Sequence, residues 1–179
     1  MLLDNDAETT TQNLEGQTSL HIASWEGCTA ITKMLLDYGA DPGSQNVKGE
    51  TPLHVASMGG NVAILKVLLK HGVNINSQSN DGSTLLHVAT WYEQSEVVAL
   101  LLKNGADISI QDNDSDTSLH NASGTGNSMS VVEILQVNGA RVNIQTKGGK
   151  SLLHFAQWNG NWEVAEILLK HGQILTLSI

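Results

Sequence analysis

The sequence is poor in the residues that usually announce chemistry. Aromatics make up 4% of its 179 residues, there is a single cysteine, and nine Lys and Arg stand against eighteen Asp and Glu. So few aromatics leave the core to many small contacts between Leu, Ile, Val and Ala. One cysteine, Cys28, excludes an internal disulfide and points to a reducing compartment, intracellular and cytoplasmic. A net charge of −9, with a pI near 5.0, argues against nucleic acid and anionic membrane as partners. With no run of 18 apolar residues and no recognisable signal peptide, neither membrane insertion nor secretion is expected.

What the chain does have is one hexapeptide written five times. Thr51-Pro52-Leu53-His54-Val55-Ala56 is the cleanest copy, and the others open at Thr18, Thr84, Thr117 and Ser151. Their histidines, His21, His54, His87, His120 and His154, are spaced by 33, 33, 33 and 34 residues. A fixed period of this length marks a solenoid of stacked units.

Each unit follows one grammar. A turn ends in Gly16, Gly49, Gly82 or Gly149, and the following Thr or Ser suits a helix N-cap. A short first helix buries Leu20/Ala23, Leu53/Ala56, Leu86/Ala89, Leu119/Ala122 and Leu153/Ala156 on one face. The second helix carries an apolar stripe, Ile31/Met34/Leu35 in the first unit and Ile64/Val67/Leu68 in the next. Gly39, Gly72, Gly105, Gly139 and Gly172 fall where left-handed C-terminal caps belong. Neither helix is long enough to be stable alone, so stability must come from packing between neighbours.

With these residues in view, the sequence resembles the ankyrin-repeat family, whose unit carries the Thr-Pro-Leu-His-x-Ala signature. The resemblance implies an all-α solenoid of helix-turn-helix units joined by β-hairpin loops. It also implies a concave groove, lined by first helices and hairpin tips, that binds other proteins. On this reading 13–45, 46–78, 79–111, 112–145 and 146–172 are five units. Residues 1–12 are the end of an earlier unit, as if cut from a longer array, and 173–179 are an apolar tail.

The unit at 112–145 breaks the pattern. Ser115 stands in place of the turn glycine, Asn121 in place of an apolar residue (Ile22, Val55, Val88 and Phe155 in the other units), and one residue is inserted between Gly126 and Val131. An unsatisfied amide at Asn121 would cost roughly 1–3 kcal/mol. In the tail, Leu175, Leu177 and Ile179 alternate with Thr176 and Ser178, as a one-sided strand does. Such a tail is expected to fold back over Leu153, Ile167 and Leu168, or to drive self-association.

Catalysis, metals and cofactors find no support. Histidines repeated on stacked helices sit roughly 8–10 Å apart, whereas zinc ligands lie about 2 Å from one ion. Cys28 has no histidine fixed beside it by the repeat. Asp107, Asp112, Asp114 and Asp116 form an acidic run without calcium-loop spacing, better suited to a basic partner.

The candidate partner-binding residues are those the repeat does not dictate. Trp25, Met58, Trp91 and Trp158 hold one position near the end of the first helix, and Tyr92 follows Trp91. Aromatics in a row are typical anchors of a binding surface. Around the hairpins stand Glu50, Asp81, Asp114, Asp116, Lys147 and Lys150, whose charge changes along the array as a specificity code would. The expected function is non-catalytic recognition of a partner protein through the groove. The alternative is a structural spacer or spring within a larger channel, cytoskeletal adaptor or toxin.

Overall fold

The computed structural model describes residues 8–126 and 128–176, with side chains described as far as Lys170. Among them are five helix pairs. The first helices are α1 (Ser19–Trp25), α3 (Pro52–Met58), α5 (Leu85–Trp91), α7 (Ser118–Gly124) and α9 (Leu152–Trp158). Their partners are α2 (Thr29–Asp37), α4 (Val62–Lys70), α6 (Ser95–Lys103), α8 (Met129–Val137) and α10 (Trp162–Thr176). First helices stack on first helices and second on second, giving two layers. The first-helix layer is the more tightly packed of the two and forms, with the hairpins, a face we term the inner surface. No strand occurs among the described residues; isolated bridges pair Gln78 with Thr84 and Gln145 with Ser151 across two hairpins.

The hexapeptide explains why each first helix begins where it does. Thr18 has extended backbone, and its N–H donates to Nδ1 of His21 at 3.1 Å. In the third unit the Thr84 N–H likewise donates to His87 Nδ1 at 3.2 Å, and in return the Thr84 hydroxyl accepts the His87 N–H at 3.4 Å. This reciprocal arrangement is a capping box in which histidine does the work of glutamate. It recurs at Thr51/His54, Thr117/His120 and Ser151/His154.

A backbone N–H pointing at Nδ1 makes that nitrogen an acceptor, so a neutral ring carries its proton on Nε2. His21 Nε2 then donates to the Glu50 carbonyl at 3.0 Å, and His87 Nε2 to that of Asp116 at 3.1 Å. One side chain thus caps its own helix and holds the next hairpin.

Two further ladders join the units. Hairpin tips bond through their backbones: Val47 N–H to Glu15 O, Asn80 to Lys48, Asn113 to Asp81 and Lys147 to Asp114, all at 2.9–3.1 Å. The residues before α4, α6 and α10 reach back to the C-terminal end of the preceding unit's first helix. Asn61 Nδ2 donates to Ser24 O and Trp25 O, Gln94 Nε2 to Met58 O, and Asn161 Nδ2 to Thr125 O.

The core is one continuous cluster. Leu20, Leu53, Leu86 and Leu119 are buried in the first layer, and Leu35, Leu68, Leu101, Leu135 and Leu168 in the second. The two ends differ from expectation. Ile31 and Met34, expected in the buried stripe of α2, are exposed, as is Ile22. The counterparts of Ile31, namely Ile64, Val97 and Val131, are buried. Leu153 is likewise exposed (38%), and with Trp162 and Leu169 it lines an open hollow of about 450 Å³ on the downstream face.

Other expectations are corrected by the backbone. Gly39, Gly72, Gly105 and Gly139 take positive φ as left-handed caps, but α10 runs straight through Gly172 to Thr176. Gln173-Ile174-Leu175 supplies good helix formers where the first unit has an Asp41 side chain accepting the Gly43 N–H. The strand reading therefore fails for 173–176. The remainder of the tail, 177–179, and the broken helix expected at 1–7 lie outside the described residues. Asn121 is not unsatisfied: its Nδ2 donates to His87 O at 3.3 Å.

Ser115 is the clearest strain. Its φ is 66°, the left-handed value taken by Gly16, Gly49 and Gly82 at the same turn. At Gly82 the demand is double, because a Cβ there would lie 2.8 Å from the Asn113 N of the next hairpin. Glu93, between the third pair of helices, has φ 57° where Gly27 and Gly60 stand in earlier pairs. Single replacements Ser115→Gly and Glu93→Gly should each raise stability by about 1 kcal/mol in urea denaturation. No gain at either position would mean that local hydrogen bonds offset the strain.

Candidate functional site

The aromatic column stands at the C-terminal ends of the first helices. Trp25, Trp91, Tyr92 and Trp158 are 46–59% exposed, so none is swallowed between repeats; Met58 is half-buried. The column is broken at Gly124, where an added Cβ would sit 3.5 Å from Phe155 Cδ1. That is ordinary van der Waals contact, and the Phe155 ring lies 5.7 Å from that of Trp158.

At the centre of the inner surface is a hollow of about 330 Å³ between the inner helices and the hairpins. Six of the sequence-selected residues line it: Glu50, Met58, Asp81, Trp91, Tyr92 and Asp116. Sequence reading had not selected Asp112 and Asn121 as its lining, though both depart from neighbouring units at matched positions. The other candidates are elsewhere. Trp25 stands alone at the end of α1. Lys150 Nζ lies over the Trp158 ring, 4.7 Å from its centroid, a cation–π contact. Lys147 Nζ donates to the Asn113 carbonyl at a hairpin tip, and Asp114 O accepts the Lys147 N–H.

The carboxylates of the hollow are not equivalent. Asp112 Oδ1 accepts the N–H groups of Asp114 and Asp116, both at 2.9 Å, so it shapes its own turn. Burial would raise the Asp81 pKa, but the Ser79 hydroxyl (2.6 Å) and the Ser83 N–H (3.0 Å) outweigh it and hold it below the usual carboxylate value. Asp116 is the opposite case. Burial, then the charges of Asp112 and Asp114, push its pKa up to about 6 against the opposing pull of Lys150. Its Oδ1 is buried without a hydrogen-bond partner.

No group of three His, Cys, Asp or Glu among the described residues is placed to hold a metal ion. The four inner histidines are buried and committed to caps, which gives them a structural explanation. No helix among the described residues is long and apolar enough to cross a membrane.

The sequence pattern of ankyrin repeats, in a model of three copies, matches residues 20–112 and 104–178. The chain belongs to the ankyrin-repeat family. Ankyrin repeats are in general modules of protein–protein interaction. No curated protein matches the chain.

Buried caps make this ankyrin array sensitive to acid. Desolvation lowers the pKa of His21, His54 and His87, and that of His120 to about 4. A folded pKa below the unfolded one, near 6.5, means the unfolded chain binds more protons in the window between them. Stability is full above pH 6.5 and is lost as pH falls through the folded values. For His120 alone the loss is on the order of 3 kcal/mol near pH 3. Asp116 works the other way, since its raised pKa favours the folded state at low pH, but one group opposes four. The melting temperature should therefore fall between pH 7 and pH 5. A flat profile would show that the imidazoles are not held neutral.

Proposed function

We propose that the chain is a non-catalytic recognition module whose inner, concave surface binds a partner protein. The observation that carries this is the row of exposed aromatic side chains on the inner layer, centred on the hollow between Trp91 and Asp116. Burying half-exposed indoles against water is costly to avoid and gainful to complete, which is why such residues dominate interface energetics. They are carried on short helices fixed at both ends by caps and interunit bonds, so little ordering entropy remains to be lost on binding. The hairpin side chains then supply selection: acidic around the centre, with Lys147 and Lys150 towards the end. The units at 13–45, 46–78, 79–111, 112–145 and 146–172 are the divisions over which that selection varies.

Two variants separate this reading from a spacer role. Trp25→Ala, Trp91→Ala and Trp158→Ala together strip the inner surface, whereas Lys66→Ala, Glu96→Ala and Glu133→Ala change exposed positions on second helices. With any partner captured by the native chain, the inner variant should lose at least about 2 kcal/mol of binding, with the melting temperature little changed. The outer variant should bind as the native chain does. Equal binding by both would transfer the function to the spacer reading.

A further inference from the structure

The central hollow has a composition that restricts what can fill it. One wall is Trp91 and Tyr92; the facing hairpins present Glu50, Asp81 and Asp116, and no lysine or arginine lines the cavity. Its volume, about 330 Å³, is at the small end for a ligand pocket and suits a single long side chain. An apolar occupant would leave Asp116 Oδ1, already unpartnered, buried against hydrocarbon. An anion would meet like charge on three sides.

A second observation comes from two units further on. Lys150 and Trp158 hold the same repeat positions as Ser83 and Trp91, and there the chain places its own ammonium over the indole. At the central hollow no basic side chain stands at the corresponding place, and the indole face is open beside carboxylates. The geometry points to this hollow as the seat of an arginine side chain of the partner protein, stacked on Trp91 and bridged by Asp116 and Asp81. Arginine fits better than lysine because its planar guanidinium both stacks on an aromatic face and bonds carboxylates through fixed donors. This rests on the groove reading and adds the chemistry of the residue that the groove selects.

The test uses the whole chain and the tripeptide acetyl-Gly-Arg-Gly-amide at physiological salt, followed through the Trp indole and backbone amide signals by NMR. Shifts should saturate in the millimolar range and centre on Trp91, Asp81 and Asp116, with the Trp25 indole unmoved. Replacing arginine by citrulline, its neutral near-isostere, should weaken binding at least about fivefold. Trp91→Ala and Asp116→Asn should each do the same, while Trp91→Phe, which keeps a ring, should retain most of the affinity. Glu133→Gln removes the same unit of charge from an outer helix and should change nothing.

Binding should also weaken from pH 7.5 to pH 5 as Asp116 takes up a proton. The groups facing it are Asp112 and Asp114 on its own hairpin, Lys150 on the next, and His87, Asp81 and Glu50 across the hollow. Asp116→Asn should flatten that dependence.

Any of four results overturns the assignment: no saturable shift up to about 20 mM peptide, equal binding of citrulline, tighter binding of acetyl-Gly-Lys-Gly-amide, or equal loss in Glu133→Gln. Should the tripeptide fail while stripping the inner tryptophans still abolishes partner binding, the arginine assignment falls and the groove reading stands. If the inner variant also binds normally, both fall.

Discussion

Everything in this array hangs on an imidazole that is kept neutral. A protonated ring would turn Nδ1 from acceptor to donor, aim it at a backbone N–H, and break the cap at the start of the first helix. In two units the same ring also carries the proton that holds the next hairpin, through Glu50 O and Asp116 O. The helices are seven and nine residues long in most pairs, far too short to persist unaided. Local capping and neighbour contact are therefore one event, performed by one side chain.

That economy leaves the inner surface free to vary. Helix starts, hairpin registers and the second-helix stripe consume the Thr, His, Gly and Leu positions, whereas the site of Trp25, Met58, Trp91, Gly124 and Trp158 carries no structural duty common to all units. The position accepts residues from glycine to tryptophan while the first helices keep the same length. The acidic hairpins are likewise permitted by the scaffold, since Asp112 serves its turn through the same amides that Asn46 engages in an earlier hairpin.

The period and its grammar were legible because each rule concerns residues close in sequence: Thr to His, Leu to Ala, glycine after a helix. The stack, and four of the five C-terminal caps, followed directly. What the sequence hid was set by neighbours or their absence. Ile31, Met34 and Leu153 obey the apolar pattern yet are exposed, because they sit on the first and last described pairs and burial depends on neighbours rather than on spacing. Asn121 looked like a buried orphan, but its partner is a carbonyl on another helix, 34 residues away. The convergence of Glu50, Asp81 and Asp116 on Trp91 draws on three hairpins, a relation that no single unit spells out.

The amide clamps ahead of the second helices give the array a direction in time. Ser24 and Trp25 end a helix with bare carbonyls, and the side chain that satisfies them, Asn61, is 37 and 36 residues downstream. A ribosome adding roughly 5–20 residues per second reaches it about 2–7 s later. The first, second and fourth pairs each emerge with one first-helix end still open to water, closed by a side chain of the next unit. The chain is thus fastened from its N-terminal side onward, like tiles each held down by the next course.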